Sequence, residues 1–436
     1  MGVAVAPPAL HAQGDAPSPA PEDGAGAAAS IFEATEQLSL SDLERAVRAG
    51  DPTVVTARRE VALSELEARQ ARVLGNPTVD GAWSTIPVGE TNPQNLERPL
   101  AKVPSYAVGV SYTFPIRKRP ARRRQADALA NGARAELEGT VREQALTLAE
   151  VLGAIATATL RREGIAELVS GGQRAIELAE ARLSAKFGTP LDVDQIRIEV
   201  QRTELLLSSS ESEIREGLAS CAALVGAPCT NFRDAATARA YLTRWLGPDG
   251  DAAIDLTQRA DLRALQAYGD AATAARQLAE AERLPDPTLR LGYLHDRFVI
   301  SGNQRNSLSA SVSLPLPLFD RGQVRRKSAE ASRLSLLDER DRRLKVAEAR
   351  IPALRERLSL SRGRCTRLHD EVLPQARGVL SNLEKAVESR LLSLTQVIQS
   401  RRIVSELFIE EAESCGDAYV AALELVRETF PKGDVP

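Results

Sequence analysis

Four cysteines and three histidines have the most chemistry to offer in this 436-residue chain, and their spacing limits what that chemistry can be. Cys221, Cys229, Cys365, Cys415, His11, His295 and His369 include no close pair with zinc-site spacing, and the single methionine is Met1. The chain has no P-loop, no GxSxG elbow and no HExxH pair, so no catalytic residue, cofactor or metal ligand is assigned and no enzyme activity is expected. What remains is disulfide formation, which suits an oxidising compartment. Cys365 lies twenty-six residues before Leu391 and Cys415 twenty-four after it. If two antiparallel helices of equal rise turn there, these residues come level and a Cys365–Cys415 bond is expected. Cys221 and Cys229 flank a helix end at Gly226 and form the second expected pair. Free buried thiols are the alternative.

The helices that would position these cysteines alternate with strands. Tyr106, Val108, Val110, Tyr112 and Phe114 share one face at period two, and Ala107, Gly109, Ser111 and Thr113 share the other. Nine residues is about one transmembrane β-strand, with small polar residues suited to a barrel interior. A half-buried strand of a soluble sheet is the alternative. A second copy follows: Leu308, Ala310, Val312, Leu314 and Leu316 alternate with Ser309, Ser311, Ser313 and Pro315. Phe114-Pro115-Ile116 recurs as Leu316-Pro317-Leu318, 202 residues later. A basic run follows each copy, Arg117 to Arg124 and Arg321 to Lys327. These runs read as partners of lipid phosphate at the headgroup layer or as solvated helix starts.

A net charge of -3 gives no global sign of nucleic-acid binding, and no nucleic acid partner is expected. Aromatic residues are only 4%, while Ala, Leu, Glu and Arg dominate, which suits long helices packed in coiled-coil fashion. No apolar run approaches eighteen residues, so a bilayer crossing would have to use strands. Residues 1–30 read as a disordered leader or the remnant of a signal peptide. The first repeat spans 38–230, with a helix start capped by Ser41, strands at about 78–86 and 106–114, and a helical hairpin turning at 188–192. Its long helix, from Pro120 to Phe187, is expected to be interrupted near Gly171-Gly172. A connector, 231–253, leads to the second repeat, 254–430. That repeat has strands at about 288–300 and 307–316, a helix break at Pro374 and a turn at 391–395, and 431–436 is a tail. Strand, strand, long helix, turn and return helix, twice over, is an internal duplication of about 205 residues.

From about residue 38 onward the chain resembles the TolC-like outer-membrane efflux protein family. The resemblance rests on PDPTLRLGY (285–293), VSLPLPLFDRGQ (312–323), EVLPQA (371–376) and KFGTPLDV (186–193), and the first two look most like channels of cobalt-zinc-cadmium type cation efflux systems. The fold it implies is mainly α with a transmembrane β-barrel portion: a homotrimeric twelve-stranded barrel on a helical periplasmic tunnel. The implied partners are a periplasmic adaptor protein, an inner-membrane efflux pump and outer-membrane lipid. Its implied location is the cell outer membrane, with a periplasmic extension. The lipid face would then include Tyr106, Val108, Val110, Tyr112, Phe114, Leu308, Val312 and Leu314. The tunnel tip, where the adaptor docks, would include Gly188, Leu191, Asp192, Val193, Ser393, Leu394 and Val397. Arg390 and Gln396 depart from the family's turn pattern. Asp192 and Asp194 could form an acidic ring selecting cations, or serve only as solvated turn residues. His295, near a strand end, reads as a lumen or rim residue rather than a ligand. Two other readings stay open: the outer channel of a type I protein-secretion system, and a soluble periplasmic coiled-coil scaffold.

Overall fold

The structure, a computed structural model, describes residues 38–90, 96–247, 255–297, 304–388 and 394–429. The chain enters through α1 (Leu40–Gly50), whose capping box is Ser39 with Asp42, two residues before the expected Ser41. Asp51 then caps α2 (Pro52–Gln70), accepting from the Thr53 and Val54 amides, with Pro52 at a position that needs no donor. Strand β1 (Thr78–Ser84), a short turn helix α3 (Pro99–Lys102) and strand β2 (Ser105–Thr113) follow. Helix α4 (Lys118–Ser184) runs 67 residues, about 100 Å at about 1.5 Å per residue. Helix α5 (Pro190–Val225) returns, and the short α6 (Ala235–Arg244) packs against α4 and α10. The second half has α7 (Ala260–Ala281), β3 (Thr288–Asp296), β4 (Asn306–Ser313) and α8 (Gln323–Arg367). A π-helical segment, Leu368–Val372, joins α8 to α9 (Leu373–Glu388), and α10 (Leu394–Thr429) returns. Helices α5 and α10 are each 36 residues long.

Two sequence expectations about helix breaks come out differently. Helix α4 passes through Gly171-Gly172 without interruption, because the missing Cβ atoms make room for neighbours. A Cβ at Gly171 would crowd Arg401, which donates to the Leu168 carbonyl at 2.6 Å, and one at Gly172 would crowd Val200. The same device runs along α4. Tyr268 of α7 lies over Gly132, Tyr419 of α10 over Gly153 and Phe408 of α10 over Gly164, so a few rings are seated against backbone. In the second half the break is the π segment just before Pro374. Proline has no N–H to donate, and its ring crowds the carbonyl four residues back, at Asp370, which widens the helix there.

The core sits where α1, α4, α6 and α10 meet. Tyr241 and Tyr419 are fully buried with their hydroxyls 2.9 Å apart, and the Tyr419 hydroxyl donates to the Ala149 carbonyl at 2.8 Å. Phe232 and Trp245 pack around this pair. The stretch expected as a connector thus contributes α6, with Ala238, Tyr241 and Leu242 in the core. Nearby, Glu411 is only 3% exposed and is neutralised by Arg239 from α6.

Both cysteine pairs are bonded. Cys221 and Cys229 close the end of α5, and Cys365 and Cys415 tie α8 to α10 with Cα atoms 4.8 Å apart. The second bond closes a loop of 50 residues, for which chain entropy gives about 4 kcal/mol. A Cys365→Ser/Cys415→Ser variant is expected to unfold earlier in guanidinium by about that free energy. The comparison should be made at equal protein concentration in the same detergent, and an unchanged midpoint would show that packing alone holds α8 against α10.

Candidate functional site

The four strands form one antiparallel sheet in the order β1-β2-β3-β4, so the two halves of the chain meet between β2 and β3. Directly opposed residues of an antiparallel pair lie on the same face, so the register sorts the alternation into two surfaces. One carries Val79, Gly81 and Trp83 of β1, Tyr106, Val108, Val110 and Tyr112 of β2, Leu289, Leu291 and Tyr293 of β3, and Leu308, Ala310 and Val312 of β4. Among the described residues nothing covers this apolar face. Val108, Leu291 and Leu308 are exposed, Leu308 to 87%. His295 and Asn306 lie on the same face in its outermost row, with the His295 Nδ1 2.8 Å from Asn306 Oδ1. His295 thus sits at the end of the sheet, on the apolar face rather than the small polar one.

The opposite face is small and polar: Ser105, Ala107, Gly109, Ser111, Gly292, Ser307, Ser309 and Ser311 among others. Arg290 of β3 reaches across β2 to form an ion pair with Asp80 of β1. Gly109 makes this possible, since a Cβ there would sit 3.0 Å from Arg290 Nε and 3.3 Å from an Asp80 carboxylate oxygen. Sequence patterning missed this pair because its members are 210 residues apart and meet only through the register.

The strands end sooner than their alternation suggests. Phe114 and Leu314, expected on the strands' apolar face, lie just past the ends of β2 and β4, because Pro115 and Pro315 cannot donate to a ladder. Strand β3 stops at Asp296, and residues 298–300 lie outside the described ones.

At the far end of α4, Gly188 and Thr189 lead into α5. The Thr189 hydroxyl accepts from the Asp192 amide at 3.3 Å, while the Asp192 carboxylate accepts from the Thr189 amide at 2.9 Å. The Thr189 hydroxyl also donates to that carboxylate at 2.7 Å, and these bonds hold the Asp192 pKa below the usual carboxylate range. Asp194 pairs with Arg197 at 3.1 Å. Both carboxylates, read from the sequence either as an acidic ring or as solvated turn residues, have partners within the chain. Among the expected docking residues, Leu191 is 64% exposed at the tip, next to an exposed Phe187. Val193 is buried with Ala179, Ile196 and Val200, where it packs α5 against α4, and Val397 is buried as well. Ser393 and Arg390 lie outside the described residues, as does the side chain of Leu394.

A sheet with one apolar and one small polar face, continuous with a helix about 100 Å long that turns back into a shorter one, is the fold of the TolC-like outer-membrane channels. The chain is similar to the outer-membrane channel OprN, with a TM-score of 0.70 and 16% identity over 92% of this chain and 91% of that one. It is also similar to the outer membrane protein VceC of Vibrio cholerae, with a TM-score of 0.69 and 18% identity over 89% of this chain and 95% of that one. In sequence it is 24% identical over 373 residues to the cobalt-zinc-cadmium resistance protein CzcC of Cupriavidus metallidurans, covering 85% of each chain. No family profile matches the chain.

Proposed function

We propose that this chain is the protomer of a homotrimeric outer-membrane efflux channel, a passive duct through which heavy-metal cations leave the periplasm and cross the outer membrane. The observation that carries this reading is the sheet. Among the described residues its apolar face is open, and its outer strands β1 and β4 each have one unpaired edge. In lipid an open edge leaves backbone donors and acceptors unsatisfied, so copies must join edge to edge until the sheet closes, and three copies make twelve strands. The flanking helices α2 and α8 support this, since both expose apolar side chains, Leu63 and Leu66 on one and Leu334 and Val346 on the other. Among the described residues no helix is long and apolar enough to cross a membrane, which leaves the strands to do so.

The exposed Phe187 and Leu191 at the tip of the hairpin suit an adaptor protein, through which an inner-membrane pump would drive transport. The likeness to a cobalt-zinc-cadmium resistance protein favours metal cations over secreted polypeptides. A soluble scaffold would leave the whole apolar face to water.

Fractionation of cells expressing the chain with a working signal peptide, followed by sizing in mild detergent, tests the assembly. A trimer in the outer membrane is expected, and deleting the gene is expected to lower tolerance of zinc, cobalt or cadmium. A soluble monomer would overturn the channel reading. A trimer whose loss leaves metal tolerance unchanged would overturn the cargo and keep the channel.

A further inference from the structure

Row Thr113, Thr288 and Ser313 is the inner end of the sheet, and from it the chain runs into α4 and α8. Both helices start at one level. Lys118 of α4 binds Asp286, just before β3, at 2.8 Å, and Gly322, which caps α8, lies against the Ala279 carbonyl in the last turn of α7. Their first turns hold no acidic residue. The two basic runs contain ten cations, namely Arg117, Lys118, Arg119, Arg122, Arg123 and Arg124, then Arg321, Arg325, Arg326 and Lys327. Lys118 pairs with Asp286, Arg325 with Glu282 and Asp320, and Arg119 donates to the Arg72 carbonyl at 2.8 Å. The other seven have no ion-pair partner among the described residues. So many like charges at two helix N-termini are unfavourable by themselves, because the helix dipole adds to the repulsion. Between this belt and the apolar face of the sheet lie Leu316, Leu318 and Phe319, exposed to 67%, 63% and 91%.

We infer that this belt is a collar for the headgroups of anionic phospholipid in the inner leaflet, with Leu316, Leu318 and Phe319 among the acyl chains above it. The inference rests on the outer-membrane reading, because the lipid face must continue directly into the collar. Charge decides the choice of lipid: phosphatidylglycerol brings a net negative charge to unpaired arginines, and phosphatidylcholine brings none. The collar also sets insertion depth, since the cations stop where the hydrocarbon begins.

The test uses the full chain purified as a trimer in mild detergent, titrated with phosphatidylglycerol or phosphatidylcholine and read by thermal stability and by lipid retained in native mass spectrometry. Retention of phosphatidylglycerol is expected to exceed that of phosphatidylcholine by about tenfold and to fall with added salt. A variant carrying Arg122→Gln, Arg123→Gln, Arg326→Gln and Lys327→Gln is expected to lose that preference and still form trimers. If the wild-type trimer retains both lipids equally, the collar is wrong and the channel reading stands. If that variant does not assemble, the salt dependence of the wild-type preference decides in its place. A chain that never enters the membrane overturns both readings at once.

Discussion

Arginine at Leu308 is expected to abolish or severely reduce the outer-membrane trimer, whereas arginine at the next residue, Ser309, is expected to leave it assembled. Leu308 lies on the apolar face in the row of Gly81, Val108 and Tyr293, midway along the strands, and Ser309 points to the small polar face. A cation on the lipid side of a barrel near mid-bilayer costs about 2–4 kcal/mol, and a trimer incurs that in every copy. A cation on the inner side meets water. Trimer yield in the outer-membrane fraction, on gels run without boiling, separates the two variants. Equal behaviour would count against a barrel whatever the sheet looks like in isolation. Trp83 offers an independent readout, because it lies on the same apolar face while Trp245 is buried in the core. Brominated lipid should quench Trp83 fluorescence and leave the remaining signal of a Trp83→Phe variant untouched.

The second large effect concerns Gly50. At the end of α1 its backbone packs directly on the end of α5, and a Cβ built there overlaps the Val225 carbonyl oxygen. On the other side of the contact is Gly226, in the left-handed region at a φ of 71°. Side-chain rotation cannot relieve a clash between one backbone and another, so Gly50→Ala must push α1 away from α4 and α5. Overpacking of this kind costs about 3 kcal/mol or more, enough to lower folded yield sharply. Gly139→Ala is the control, since its Cβ would meet Ala260 at an ordinary 3.6 Å in a helix interior where alanine is the better helix former. Urea or thermal unfolding of both variants in one detergent should show a large loss for the first and little change or a small gain for the second.

These contrasts show which features a sequence can carry. Alternation in β2 and β4 was legible because period two needs no knowledge of neighbours, and it sorted Tyr106, Val108, Leu308 and Val312 correctly onto one face. The strand ends were less legible, as the alternation of Leu314 and Leu316 continued past the point where Pro315 ends the ladder. Gly171-Gly172 looked like a break because glycine has low helix propensity, but packing against Arg401 and Val200 overrides propensity there. Val193 and Val397 matched a turn pattern, yet a turn pattern does not say which side chains face inward. The Asp80–Arg290 pair depends on two strand pairings at once, so neither residue announces it.

The Cys365–Cys415 staple lies beside the π segment, on the side toward the sheet. Below it, α10 extends from Cys415 to Leu394, a lever arm of about 30 Å. A lever magnifies angle into distance: tilting the hairpin by about 5° about the staple would carry its tip by about 3 Å, roughly the width of a water molecule. In the proposed channel, such a tilt would change the aperture by about that width while every helix stays intact.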